Sequence, residues 1–400
     1  MLRVGTGLER GGGERSSPGI GEKVAFLGDP RAYGGLARTV EVRETHMSWV
    51  FLAGEYVFKL KKPVCFPYLD FSTLAKRHIA CRAEVELNRR LAPGVYLDAV
   101  PLCVSAAGLS IGEGAAIVDW LVKMRRLNES LMLDSLIARE EAGRSCANAI
   151  VLKLASFYKR ARAVFLRPED YLKQWIINLQ QNRAVLLDPR LGLPQAAIRR
   201  CDRPLRQFLD GSRCLLLGRL RRRRIVDGHG DLRPEHIWLG DEVKIIDCIE
   251  FNARLRAVDP LDEIAYLDLE CEYLGAKEFG EYVRAHIVRA PPDDPPISLY
   301  YFYRCYRAML RARLSIAHLL APNPRTPEKW RPKALAYLRI AAADAKRLEG
   351  ALRRQADRRG IHCRAGAVWP PPTAARKEGY APYFASAPAS RGKAERYRWR

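Results

Sequence analysis

One short stretch of the chain concentrates residues able to do chemistry: Asp227, Gly228, His229, Gly230, Asp231, Leu232, Arg233, Pro234, Glu235 and His236. A further carboxylate, Asp247, directly follows the apolar pair Ile245-Ile246. Between them lie two apolar runs, 237–239 and 243–246, separated by Gly240-Asp241-Glu242. That is the composition of a hairpin and its turn. A hairpin returns its ends to one place, so Asp231 and Asp247 are predicted to lie side by side although distant in sequence. Two carboxylates on adjoining loops, backed by apolar strands, suit phosphoryl transfer. One orients an attacking hydroxyl and takes its proton; the other holds a divalent ion that bridges nucleotide phosphates. His-Gly-Asp alone could be a turn with an aspartate cap; the hairpin and the carboxylate beyond it favour the chemical reading.

The elements that must hold this pair follow from hydrophobic period. Residues 40–43 alternate like a strand. Residues 49–52 and 56–61 are aromatic and β-branched around Ala53-Gly54-Glu55, a second hairpin. Ser72 or Thr73 opens a long helix on which Leu74, His78, Cys81, Val85, Asn88 and Leu91 recur at helical spacing. Residues 97–104 and 116–118 read as two further strands, and 24–27 as a short apolar run. From Asp119 onward helices dominate: 132–138, 148–164, 168–187, 195–220, 260–274, 299–320 and 332–352. The expectation is a sheet-rich unit over 23–117 with one helix, followed by a helical unit over 118–356. Residues 1–22 read as a disordered leader and 357–400 as a basic flexible tail.

Composition narrows the function classes. The chain has 400 residues, 48% hydrophobic and 28% charged, as globular domains do. No window has the unbroken apolar length of a membrane span, and the N-terminus lacks the apolar core of a secretory signal. The cytoplasm is the default expectation, and no membrane partner is predicted. The ten cysteines form no C-x-x-C pair, which argues against zinc knuckles and disulfide frameworks. The net charge of +23 is shared largely by Arg221 to Arg224 and the tail. A basic, nucleic-acid-associated protein is therefore a rival reading, but no basic motif interleaved with aromatics supports it.

The stretch around Asp231 resembles the loop His-Gly-Asp-x-x-x-x-Asn, with its following Ile-Asp strand end, of the aminoglycoside phosphotransferase family. That family shares its fold with protein kinases and choline kinases. The chain further resembles the phosphotransferase half of bacterial proteins described as bifunctional aminoglycoside phosphotransferase/ATP-binding proteins. The resemblance is carried by Glu44-Thr45-His46-Met47-Ser48-Trp49-Val50-Phe51-Leu52, by residues 56–63 and 69–74, by Leu87-Asn88-Arg89-Arg90-Leu91-Ala92-Pro93, and by Asp247-Cys248-Ile249-Glu250-Phe251-Asn252. It extends over about 23–355. Longer members carry a P-loop ATPase domain as well; no G-x-x-x-x-G-K-[ST] occurs here, so that domain is not expected.

The resemblance implies an α+β, bilobal protein kinase-like fold, with a small antiparallel-sheet N-lobe and a large, mainly helical C-lobe. It implies ATP and Mg²⁺ as cofactors, a small-molecule hydroxyl as acceptor, Asp231 as catalytic base and Asp247 as metal ligand. It also implies a lysine on the third strand, facing nucleotide phosphates. Lys59, Lys61 and Lys62 compete; Lys59 is favoured because Val57, two residues before it, is a small apolar floor for adenine. Lys61 fits a solvated edge-strand charge. Glu84 is preferred to Glu86 as the lysine's partner, because Leu87 and Leu91 share its helical face. Thr45 to Ser48 occupies the turn that would cover phosphates, and 118–124 resembles the hinge between lobes. His229 is expected to prop the loop, and Asp259 and Asp262 to cap a helix.

One departure matters. His236 stands where the family has its metal-binding Asn. It is either a ligand, which would shift preference toward Mn²⁺ or Zn²⁺, or a loop hydrogen-bonder beside Asp247, or the mark of a degraded site; Glu250 could compensate from outside. The degraded reading gives a second rival, a nucleotide-binding pseudokinase with a regulatory role. For the acceptor, the acidic residues Asp262, Glu263, Asp268, Glu270 and Glu272 could receive a cationic amine, or could be a solvated helix face. The overall positive charge argues against a polycation. Sequence leaves the acceptor and the oligomeric state open.

Overall fold

The computed structural model describes residues 18–288, 295–321, 323, 324 and 326–358. Of the expected leader, residues 1–17 lie outside the described residues and 20–22 are helical instead; of the expected tail, 359–400 lie outside them and 357–358 end a helix. The chain forms two compact units. One comprises the described residues up to 63, with 71–85 and 96–126; the other comprises 64–70, 86–95 and the described residues from 127 onward.

The first unit is a six-stranded antiparallel sheet. Its strands are β1 (Val40–Glu44), β2 (Ser48–Ala53), β3 (Tyr56–Lys61), β4 (Tyr96–Ser105), β5 (Gly108–Ile111) and β6 (Ala116–Arg125), in the order β1-β2-β3-β6-β4-β5. β3 is interior, pairing Lys59 with Val50 on one side and Val122 on the other. Alternation along it sends Phe58 and Leu60 into an apolar core with Leu27, Phe51, Leu102 and Leu121. Helix α1 (Ile20–Leu27) covers that core with Leu27, so the run read as a short apolar segment is helical.

β6 corrects a boundary. The stretch 118–124, read as a hinge, is a continuous strand paired with β3 and β4, and the sheet unit runs on to Arg126. Its Asp119 is a buried anchor: Lys23 Nζ lies 2.8 Å from Oδ2 and Arg77 Nε 2.7 Å from Oδ1.

Helix α2 (Leu74–Arg89) begins after Thr73 and ends where Leu91 and Ala92 close its last carbonyls. The second unit holds α3 (Arg144–Arg160), α4 (Pro168–Leu186), α5 (Gln195–Gly211), α6 (Arg213–Arg221), α7 (Pro260–Tyr273), α8 (Lys277–Val288), α9 (Ile297–Ala317) and α10 (Pro327–Arg358). Its larger core stacks Trp175, Phe208, Phe302 and Tyr303 from α4, α5 and α9. A smaller core joins α3, α7 and α8 to Leu232, Ile237 and Ile245 around the chemical loop. Among the described residues no helix is long and apolar enough to cross a membrane, and all described cysteines are free.

Candidate active site

In the first unit, the strand period puts Val57, Lys59 and Lys61 on the face of β3 opposite Phe58 and Leu60. There Glu84 of α2, fully buried, takes both lysines: Lys59 Nζ on Oε1 at 2.9 Å and Lys61 Nζ on Oε2 at 2.5 Å. Lys61 is therefore not a solvated edge charge. Its ammonium is buried against Glu84 and 4.8 Å from the Phe71 ring centroid. Lys59 retains partial exposure, with 17% of its side chain accessible. Thr45 and Ser48 form a turn closed on itself. Ser48 N–H donates to Thr45 Oγ1 at 3.0 Å, Thr45 N–H and Oγ1 both reach Ser48 O, and Ser48 is buried. Lys62 braces the turn from outside through Glu44 at 2.5 Å and the Thr45 carbonyl at 2.7 Å.

In the second unit the expected hairpin is present: β7 (Ile237–Leu239) pairs antiparallel with β8 (Val243–Ile245). Pro234–His236 forms one tight turn of helix before it. The hairpin is closed at its base by Ile246 N–H donating to His236 O at 2.9 Å. His236 and Asp247 are thereby brought together, with Nε2 3.6 Å from Asp247 Oδ2. Asp231 lies on the other side of the same ring, its Oδ2 3.8 Å from His236 Nδ1.

The loop is pinned from behind. Glu263 of α7 accepts the backbone N–H groups of His229, at 2.9 Å, and Gly230, and its other oxygen accepts the Tyr158 hydroxyl at 2.8 Å. Gly228 leaves room for this clamp, since a Cβ there would sit 2.7 Å from Glu263 Oε2. His229 Nε2 donates to Ile246 O at 2.8 Å, which leaves Nδ1 to accept Asp231 N–H at 3.3 Å. It props the loop between its two carboxylates. Burial and the neighbouring His236 depress its pKa to about 4, so the ring is neutral. Asn88 Oδ1 accepts Cys248 N–H at 2.9 Å, fixing the chain just beyond Asp247.

Asp231 itself is held by two side chains. Oδ1 accepts the Tyr266 hydroxyl at 3.0 Å, and Oδ2 lies 3.1 Å from Arg233 Nε. Burial works to raise its pKa, but the positive charges of Arg233 and Arg311 prevail and hold it at about 2. His236 Nδ1 donates to the Asp231 carbonyl at 2.8 Å, so Nε2 carries the lone pair. That lone pair faces Arg233 Nη2 at 3.2 Å as well as Asp247. Arg233 also reaches Glu235 at 2.7 Å. Asp247 is the more accessible carboxylate and has φ +61, a left-handed conformation uncommon for a residue with a side chain.

The donor set decides how a metal would fit. Among the described residues no group of three His, Cys, Asp or Glu side chains could hold an ion. Asp247 and His236 Nε2 supply two donors. The single carboxylate suits an ion such as Mg²⁺, which takes one or two carboxylates and completes its shell with water and phosphate oxygens; the imidazole nitrogen beside it moves preference toward Mn²⁺. When bound, such an ion would neutralise phosphate charge.

Sequence reasoning overlooked Tyr266, Arg233 and Arg311 around Asp231. Arg233 stood in the motif; Tyr266 and Arg311 carry no local signal, because helix packing brings them in. The acidic helix is corrected. Asp262, Glu263, Asp268 and Glu270 are buried, not a solvated face. Nor are they open to an amine: Asp262 pairs with Arg307 at 2.7 Å, Glu270 with Arg311 at 2.8 Å, Asp268 with Arg304 at 3.5 Å, and Glu272 also with Arg304. Asp259 caps α7 through Leu261 N–H, and Arg219 lies 2.6 Å from its carboxylate.

No family model matches the chain. Uncharacterised proteins of Mycobacterium tuberculosis and Mycobacterium bovis are each 34% identical to it over 291 residues, covering 71% of this chain and 56% of theirs. The chain thus spans about half the length of the curated relatives it matches. Among solved structures, a choline/ethanolamine kinase family protein of Mesorhizobium loti matches with TM-score 0.50 and 16% identity, over 84% of this chain and 99% of its own. An aminoglycoside 2'-phosphotransferase in its GDP complex matches with TM-score 0.46 and 16% identity, over 79% and 98%. With its antiparallel-sheet and helical units, the chain has the kinase-like fold that the choline/ethanolamine kinase family protein also has.

Proposed function

We propose that the chain is an ATP-dependent phosphotransferase that moves the γ-phosphate to a hydroxyl of a small molecule. The observation that carries this reading is the pairing of two carboxylates through one imidazole, with Asp231 and Asp247 on either side of His236. Asp231, ionised and aimed by Tyr266 and Arg233, orients the acceptor hydroxyl and receives its proton. A base with so low a pKa suffices, because a loose phosphoryl-transfer transition state needs the proton removed late. Asp247, with His236, holds the divalent ion. In the first unit Glu84 fixes Lys59, the accessible lysine of its pair, for nucleotide phosphates, and Val57 floors the adenine. The turn from Thr45 to Ser48 covers phosphates through the backbone at His46 and Met47.

Transfer from radiolabelled ATP to a panel of hydroxylated metabolites and aminoglycosides, with Mg²⁺ or Mn²⁺, tests the reading. Asp231→Ala is expected to lower turnover by roughly 100-fold or more. Transfer that survives this change removes Asp231 from its role.

A second reading, a nucleotide-binding regulatory protein, draws on one contact: the Arg233 guanidinium lies on the very nitrogen through which His236 would bind metal. Binding of ATP, seen as a thermal shift, without transfer to any acceptor would favour it.

A further inference from the structure

The surroundings of Asp231 in the helical unit bear on the acceptor's charge. A cationic acceptor needs a carboxylate to meet it, and the carboxylates of α7 are committed to arginines of α9: Asp262 to Arg307, Asp268 and Glu272 to Arg304, Glu270 to Arg311. Glu235 is likewise held by Arg233.

Polar side chains lead away from the base, Tyr266 lying in the field of Arg311 and Glu270. Tyr266 donates to Asp231. One turn along α7, Glu270 holds Arg311 at 2.8 Å and accepts the Tyr337 hydroxyl at 2.9 Å. Tyr337 stacks on Tyr273 with ring centroids 4.3 Å apart. One turn before Tyr337 on α10, the Lys333 ammonium lies 5.6 Å from the Tyr273 ring centroid. Lys333 lies within the field of Arg311, Glu270 and Glu235, the charges that flank the base and its loop.

Lys333 differs from the other cations here. Among the described residues its ammonium forms no ion pair, whereas Arg233 and Arg311 each have a carboxylate. It is partly buried, and desolvation followed by the Arg311 charge lowers its pKa. A half-dehydrated ammonium beside another cation, with the nearby carboxylates already engaged, favours an incoming anion.

Resting on the phosphotransferase reading, we propose that the hydroxyl acceptor carries an anionic group, a carboxylate or a phosphate, received by Lys333 beside the Tyr273–Tyr337 stack. In the reaction the acceptor oxygen bonds to the γ-phosphorus as the bond from that phosphorus to the β-phosphate oxygen breaks. ADP leaves with the electron pair, and the hydroxyl proton passes to Asp231 and then to water.

The test uses the full chain, labelled ATP and Mg²⁺ or Mn²⁺, with sugar acids, sugar phosphates, neutral polyols and amino-alcohols as separate arms. Transfer is expected to be strongest in one anionic arm, and which arm responds tells carboxylate from phosphate. Lys333→Met is expected to raise KM for that acceptor roughly tenfold, the scale of one charge-assisted hydrogen bond, and Lys333→Arg to recover most of it. Gluconate or glucose 6-phosphate should also raise the Tm of the wild type in the presence of ADP, and not that of Lys333→Met. Equal or better kcat/KM with amino-alcohols or polyols, or KM values indifferent to Lys333→Met, overturns the inference and leaves the phosphotransferase reading standing. An ATP-induced thermal shift without transfer in any arm overturns both.

Discussion

At the scale of single residues, the loop separates two titrations. Asp231, at about 2, is ionised at any pH where the fold survives, so its protonation adds no acid limb to the activity profile above about pH 4. An acid limb centred near pH 6 in kcat would contradict its place as base. His229 acts on stability. Its pKa is about 4 in the folded chain against roughly 6.5 when unfolded, so the unfolded state takes up the proton first as pH falls. The stabilisation is complete above about pH 6.5 and is lost on descent through pH 4, amounting to on the order of 3 kcal/mol. Urea midpoints measured from pH 7.5 to 4.5 should fall, and the slope should flatten in His229→Gln. The histidine and both aspartates were legible in the sequence, because motif and hairpin are local. Tyr266, which donates to Asp231 from α7, was not, because a contact between a loop and a distant helix leaves no trace in spacing.

At the scale of elements, the clamp from α7 matters more than the hairpin's own bonds. Glu263 accepts only donors: two backbone N–H groups and a tyrosine hydroxyl. Glu263→Gln can keep an oxygen on the two N–H groups and turn its amide to the Tyr158 hydroxyl, but it replaces charge-assisted bonds by neutral ones and should cost about 1–3 kcal/mol, read from the urea midpoint. Gly228→Ala should do similar harm from the opposite side, since its Cβ would also meet Val258 at 2.5 Å. Five of the six sheet strands and α2 were readable from alternation and from the Ser72-Thr73 cap; β5 was not read. Three readings failed for physical reasons. The run 118–124 was matched to a hinge by resemblance and the strand was ended at 118, yet Lys23 and Arg77 neutralise the buried Asp119 and the strand continues. Residues 195–220 kept helical period across Ser212, where the chain turns from α5 into α6. Helix α8 went unread; it follows Gly275, which has positive φ, and Gly280 admits α7, since a Cβ there would meet Asp268 Oδ1 at 2.5 Å.

At the scale of the whole molecule, the formal charge of +23 does not describe the interior. The packed helices of the second unit set Arg304, Arg307 and Arg311 against Asp262, Asp268, Glu270, Glu272 and Asp344. Such ladders align one helix against another more than they stabilise it, but breaking one leaves a buried charge alone. Arg307→Met should therefore lower stability by about 3–5 kcal/mol, measured by denaturant unfolding, while Arg307→Met combined with Asp262→Leu should recover much of the loss. Sequence showed the acidic helix but not its partners. A stripe of arginines on α9 reads as a solvated face until the packing shows which way it points.

The left-handed backbone at Asp247 has a consequence for how such a chain would drift or be engineered. An L side chain there sits in a conformation that glycine adopts freely. Asp247→Gly should match or exceed the wild-type Tm while losing metal-dependent turnover. On the phosphotransferase reading, a screen for thermal robustness alone would accept that replacement, and only a screen for transfer would retain the carboxylate.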